Sequence, residues 1–301
     1  MRIGIAVGDI RGQAALAAVV DQVRQAAHHG FDTAWSAQAF GWDALTTLAV
    51  AGTQVPGIAL GTAVVPVPQR HPLVLASQAL TAQAAVSGRL TLGVGAGIGA
   101  MVAGMFGLAT DRPVRRMREY LTVLNPLLRG EIVEHRGETL TAVGAVGLVD
   151  VATPSVLLAA LGPNMLKVAG ELADGTVTWM TGPKTIREHI APTIAKAAAE
   201  ANRSAPKIVA GQLVCVTNAT DVVRERIRTE FPMAGRVPEY RAMLEREGAA
   251  GPEDVAIVGN EQSVARQIEQ LKESGVTEFM AAPYGSVDEQ RRTVEFLSGL
   301  R

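Results

Sequence analysis

This sequence predicts an α/β fold: a (β/α)8 TIM barrel with insertions after strands 4 and 7. Three observations carry the prediction. Strand-like and helix-like segments alternate along the whole chain. Two of the strands, Ile58–Val65 and Leu90–Gly95, are continuous apolar runs, the pattern of a parallel strand buried on both faces. The count comes to about eight β-then-α units, which is the barrel repeat. The 301 residues suit a barrel with insertions, and no linker, repeat or low-complexity tract divides them. They are read as one domain, residues 1–301.

The elements follow in order. Arg2–Val7 is the first strand. Gln13–His29 is a helix with an apolar stripe at Leu16, Val19, Val20, Val23 and Ala27, and Gly30 is a natural stop. Asp32–Ser36 is a strand, Trp42–Gln54 a helix, and Ile58–Val65 the third strand. Pro72 stands where a first helical turn tolerates proline, opening Leu73–Val86. Leu90–Gly95 is the fourth strand. An excursion follows, with an amphipathic helix over Arg112–Arg129 and a small hairpin or extended excursion over Ile132–Leu140. Alternation then resumes with strand Val156–Leu161, helix Pro163–Leu172, strand Gly175–Trp179, helix Pro183–Asn202 and strand Ile208–Val216. Two or three helices between Asp221 and Arg246 form the second insertion. Helix Glu261–Ser274, strand Thr277–Ala282 and helix Asp288–Leu300 close the chain.

Composition excludes several classes. Hydrophobic residues make up 48%, enough for an extensive core and too many for disorder. The formal net charge of -1 offers no electrostatic case for nucleic acid or an anionic membrane. Apolar runs are interrupted before the roughly 18 residues of a membrane span. Met1 leads straight into a strand with no secretory pattern, so the expected location is cytoplasmic. Cys215, the lone cysteine, is read as a small buried apolar residue rather than a reactive thiol. The five histidines show no ligand spacing, and no metal is expected.

In a parallel barrel the chemistry lies at the strand C-termini. Here those ends read Gly8-Asp9, Ser36-Ala-Gln38, Thr62-Ala-Val-Val65, Gly95-Ala-Gly97, Ala160-Leu-Gly-Pro163, Trp179-Met-Thr-Gly182, Gln212 and Pro283-Tyr284. The set is poor in ionisable groups and rich in backbone donors, amides and hydroxyls. It suits a flat cofactor that carries the reactivity itself. Each piece also has a plain structural reading. The glycines at 93, 95, 97 and 99 permit either a tight turn or the close approach of a ligand. Gly162-Pro163 opens a helix whose free N–H groups suit a phosphate, or is an ordinary turn. His71 is a ligand donor or a structural hydrogen-bonder. Trp179 is core or lies beside a ring. Lys167, Lys184 and Arg187 meet an anionic tail or are solvated. Gly95-Ala-Gly-Ile-Gly-Ala100 matches the dinucleotide fingerprint, but the acidic strand end expected about 20 residues on is replaced by a helix with Arg115 and Arg116, so the match is a decoy.

Leu60-Gly-Thr-Ala-Val-Val-Pro66 with Arg70-His-Pro72, then Gly88-Arg-Leu-Thr-Leu-Gly-Val-Gly-Ala-Gly97, resemble the luciferase-like monooxygenase superfamily. Phe106-Gly-Leu108, Arg116-Met-Arg-Glu-Tyr-Leu121 and Ala159 through Trp179 agree with it. Within that superfamily the chain is similar to the branch that uses the deazaflavin coenzyme F-420 rather than FMN. The resemblance implies a homodimeric barrel that transfers a hydride between C5 of the cofactor and a small organic substrate. It also implies a non-prolyl cis peptide backing the ring, matched here by Ala63–Val64. The cofactor's phosphate region would match Gly95, Ala96 and Gly97 with Ala160, Leu161, Gly162 and Pro163. Two departures narrow the chemistry. The sugar-phosphate dehydrogenases of the superfamily have an Asp-His pair after the second strand and a Glu after the glycine turn; this chain has Ala37-Gln38 and Ile98. Neither Gln nor Ile exchanges a proton near neutral pH. Reduction of an activated C=C, C=N or C=O is therefore expected over sugar oxidation, with Gln38 a hydrogen-bonder to the ring or substrate and Trp179 beside the ring. An FMN-dependent monooxygenase and a flavin-binding protein without turnover are the alternatives. Substrate selection is expected from the insertions near Ala100–Arg116 and Asp221–Gly248.

Overall fold

The computed structural model describes residues 1–8, 14–147 and 150–300. Asp9 and Gln13 lie outside the described residues. Eight parallel strands close on themselves: β1 (Arg2–Val7), β2 (Thr33–Ser36), β3 (Ala59–Thr62), β4 (Leu90–Gly95), β5 (Ser155–Ala159), β6 (Gly175–Trp179), β7 (Lys207–Val216) and β8 (Glu278–Pro283). Each pairs with the next, and β1 pairs with β8 to complete the ring. The expected barrel is therefore the observed one. Helices follow the strands, and of the apolar stripe expected for the first, Val19, Val20 and Val23 are buried while Leu16 and Ala27 are half-buried.

The barrel is filled, as its apolar strands require. Trp35, Leu157, Val177, Val209 and Met280 occupy the interior, topped by Ala63, Val64, Ala159 and Trp179. Trp35 lies across Gly4 and Gly61, where any Cβ would strike its ring. Its indole N–H donates to the buried Glu278 carboxylate at 2.8 Å. A larger apolar layer joins the strands' outer faces to the helices.

Both insertions fall where the sequence places them. After β4 come helices Gly99–Phe106 and Pro113–Leu128 and an antiparallel hairpin, Val133–Arg136 with Thr141–Gly144. Met117, Tyr120, Leu121, Leu124, Leu127 and Leu128, the expected apolar face, are all buried. After β7 come helices Thr220–Glu230, Pro232–Arg236 and Pro238–Glu247, a short helix Pro252–Val255 and a strand Ile257–Gly259 that pairs with the end of β7. Their shared core includes Met180, Leu213, Cys215, Ile227 and Leu244.

The differences from the expected boundaries have physical reasons. Helix Gly99–Phe106 is absent from the sequence reading because its glycines, poor helix formers, look like a turn. The hairpin's second arm runs past Leu140 to Gly144. Pro183–Asn202 is not one regular helix: it opens as Pro183–Thr185, widens to a π-turn over Ile186–Ile190 and continues as Ala191–Glu200. Pro192 has no N–H to give to the turn before it, and Ala191 N–H reaches back to Ile186 O instead.

Candidate active site

The third strand is not continuous to Val65. It stops at Thr62, and the Ala63–Val64 peptide is cis, at the bond the resemblance singles out. Val65–Pro66 then rejoins the sheet beside Val94 and Gly95. Two main-chain bonds tie this bulge to the end of β2: Ala63 N–H donates to Ser36 O at 2.9 Å, and Gln38 N–H to Val64 O at 3.2 Å. On the β4 side, the fully buried Thr62 hydroxyl takes over the ladder, accepting from Gly93 N–H and donating to Gly93 O, each at 2.8 Å. A buried backbone group left unpaired is costly, so this side chain does work that the displaced strand cannot. The glycines make room for the bulge. A Cβ on Gly93 would strike Thr62 O, and one on Gly95 would lie 2.9 Å from Val64 Cγ2 and 3.3 Å from Ala159 Cβ. Gly97 has φ +72°, the turn conformation.

Two helices start at the mouth on adjacent strands without a side-chain cap. One follows β4, with Ile98 at its N-cap; the other follows β5, with Gly162 there and Pro163 in its first turn. Neither has an acidic residue in its first turn. A Cβ on Gly162 would meet nothing within 4 Å. The Gly182-Pro183 helix start after β6 makes a contrast: the Glu247 carboxylate accepts from Lys184 N–H at 3.1 Å and Thr185 N–H at 2.7 Å. Uncapped helix starts with open space before them are places where an anion is stabilised by free N–H groups and the helix dipole.

The expected residues are brought together unequally. Ala63, Val64 and Trp179 pack on the same interior cluster, and Gly95 abuts Val64. Half-buried Trp179 lies over Gly211, whose missing Cβ would be 2.6 Å from its ring. Gln38 adjoins the bulge through its main chain, while its side-chain oxygen accepts from Ala44 N–H at 2.7 Å. Its amide nitrogen has no partner among the described residues. Ala160 is buried in the outer core, and Ala96 and Leu161 pack against that core while staying half-buried. His71 takes its structural reading: Nδ1 accepts from Leu73 N–H at 3.3 Å, capping helix Pro72–Ala85, and Nε2 meets Thr141 O at 2.9 Å. Lys167, Lys184 and Arg187 are exposed. Trp42 is exposed too, donating to Ala14 O.

Gln212 corrects the list of strand ends. Strand β7 ends at Val216, as the sequence predicts, so Gln212 lies inside it and points out of the barrel, opposite to Val209 and Gly211, where its amide donates to Thr181 O at 2.6 Å. It supports the turn after β6 from behind, where Met180 adopts φ +50°. His189 was invisible as a contributor. Carried by the π-turn, it is buried, and its Nε2 meets Leu161 O at 2.8 Å, holding the turn before the uncapped helix. No local motif announces that contact, because it joins residues 28 apart. Among the described residues, no group of His, Cys, Asp and Glu could hold a metal ion. No described helix is long and apolar enough to cross a membrane.

A neutral cradle of backbone and small side chains, beside two uncapped helix starts, fits a flat ring with an anionic chain attached. The fold is a closed parallel (β/α)8 barrel with its insertions after β4 and β7. The chain belongs to the luciferase-like monooxygenase family, whose sequence profile matches residues 2–278. A 5,10-methylenetetrahydromethanopterin reductase of Archaeoglobus fulgidus is 31% identical over 236 residues, covering 75% of this chain and 68% of the reductase. The solved coenzyme F-420-dependent tetrahydromethanopterin reductase of Methanopyrus kandleri superposes with TM-score 0.78 at 21% identity, covering 99% of this chain and 97% of that one. A solved F-420-dependent secondary alcohol dehydrogenase, in complex with an F-420–acetone adduct, gives TM-score 0.84 at 18% identity, covering 100% and 98%.

Proposed function

We propose that this protein is a coenzyme F-420-dependent oxidoreductase that reduces an activated C=C, C=N or C=O bond in a small organic substrate. The observation that carries this reading is the mouth itself: an interrupted third strand and uncapped helix starts, with no acid or base among the candidate residues. The relatives named above, two of them F-420-dependent by name, support the same cofactor.

The bound cofactor would supply the hydride at C5. The chain's own task is then alignment and proximity, which hydride transfer chiefly requires. Ala63 and Val64 back the ring, and Trp179 walls its edge. The free N–H groups at Gly99 and Asn164 receive phosphate, and the spare amide nitrogen of Gln38 donates to ring or substrate. Solvent supplies the proton, since the Tyr284 hydroxyl is buried against the second insertion's core. The same reading makes the protein a cytoplasmic homodimer acting on a small molecule.

Fluorescence titration with oxidised F-420 and, separately, with FMN tests it. F-420 binding at tens of micromolar or tighter, about tenfold or more ahead of FMN, is expected. Preference for FMN, with oxygen uptake by the reduced complex, would replace it with a monooxygenase. Tight F-420 binding with no hydride exchange on any acceptor would leave a binding protein, and binding of neither would overturn the reading.

A further inference from the structure

A cleft of about 470 Å³ opens beside the mouth, between the segment that follows the bulge and the first insertion. Val67, Phe106 and Leu108 form apolar walls, and Arg70, Arg116 and Tyr120 line it as well. Two arginines and no carboxylate are among its lining residues. The two cations differ in what they have left to give. Arg70 is committed: its Nη2 donates to Asp43 Oδ2 at 2.7 Å and its Nη1 to Pro66 O at 3.3 Å. Tyr120 is committed as well, its hydroxyl donating to Arg70 O at 3.0 Å.

Arg116 is not. Its Nε is buried and has no hydrogen-bond partner among the described residues. Its one ion-pair partner among the described residues is the exposed Asp111, whose Oδ1 stands 3.6 Å from Nη2 while its Oδ2 accepts from Arg112 Nε at 3.0 Å. A guanidinium presents Nε and Nη in a planar fork that a carboxylate fills with two parallel bonds. Because Nε is buried, what Arg116 offers the cleft is its Nη end, with one acceptor 3.6 Å away among the described residues and no carboxylate among the residues that line the cleft.

We propose that this cleft binds an organic acid, with its carboxylate on Arg116 and its apolar body against Val67, Phe106 and Leu108. The acid could be a free small molecule or a carboxylate of the cofactor's glutamate tail; the recognising chemistry is the same. The proposal concerns this cleft and does not depend on which cofactor fills the mouth.

The probe is 3-phenylpropanoate, with 3-phenylpropan-1-ol as its neutral counterpart, titrated calorimetrically into the unmodified protein and into Arg116→Gln and Phe106→Ala. The acid is expected to bind at least about tenfold tighter than the alcohol, and both substitutions to weaken it about tenfold. Equal binding of acid and alcohol, or no acid binding up to about 10 mM, overturns the proposal and needs no variant. So does an Arg116→Gln protein that is folded and binds the acid like wild type. Adding F-420 or its tail-free chromophore separates the sources. Displacement of the probe by F-420 alone assigns the site to the tail, and displacement by neither assigns it to a separate acid. If F-420 does not bind at all, the cofactor reading fails while the probe titration still decides the cleft.

Discussion

Thr62→Val is the perturbation that asks most directly whether the bulge is held as described. Valine keeps the shape and branching of threonine and removes the hydroxyl. Two buried main-chain groups, Gly93 N–H and Gly93 O, then lose their partner at once. Each buried group left unsatisfied costs about 1–3 kcal/mol, so the pair predicts a loss of about 2–6 kcal/mol. Thr62→Ser is the control. It keeps both hydrogen bonds and loses one buried methyl, worth about 1 kcal/mol with the small cavity it leaves. Reversible urea unfolding followed by far-UV circular dichroism gives both differences. Well below either transition, the proposed function, which places the ring on the bulge, predicts that Thr62→Val also weakens F-420 binding while Thr62→Ser does not. A valine variant as stable as the serine variant would refute the reasoning, since the hydroxyl would then hold nothing that water or a shifted strand cannot.

Three further outcomes follow from the site and its surroundings. Gly162→Asp places a cap at an extended position where a Cβ has open space, so it should stabilise the free protein by about 1 kcal/mol and yet weaken F-420 binding, with thermal melting and titration moving in opposite senses. His189→Ala should loosen the Leu161 turn and cost about fivefold in cofactor affinity, the worth of about one hydrogen bond, while a donor-retaining His189→Gln recovers most of it; equal Kd values for the two variants would dismiss the contact. Burial, assisted by the nearby Glu289 carboxylate, pushes the Cys215 thiol up to about 12, so a disulfide reagent at pH 8 should leave the native protein unlabelled and react only on unfolding; labelling of the folded protein would contradict its place in the core.

Much of the architecture was legible because it rests on local pattern. Leu90–Gly95, Pro163–Leu172 and Gly175–Trp179 have the expected limits to the residue. Period and punctuation decide such elements, and the barrel follows from their alternation. The site was legible in part. The bond Ala63–Val64 could be named because the motif around it is distinctive, but the reason for the neighbouring glycines could not. Gly93 and Gly95 read equally well as a turn or as room for a ligand; the structure shows them making room for the bulge.

What remained hidden depends on contacts between distant segments. Nothing near Arg116 in the chain says that its Nε is buried without an acceptor among the described residues, nor near His189 that it faces the carbonyl of Leu161. Gln212 was placed among the strand ends although it lies inside the strand Ile208–Val216, and only its contact with Thr181 O shows that it faces away from the mouth. Sequence alone determined the order of strands and helices, their apolar faces and a strand-end set poor in acids and bases, since these are set by residue type and spacing. Tertiary structure decided which backbone groups are spoken for and which stay free: Glu247 caps one Gly-Pro helix start from 62 residues away, and its counterpart at Gly162 is left open.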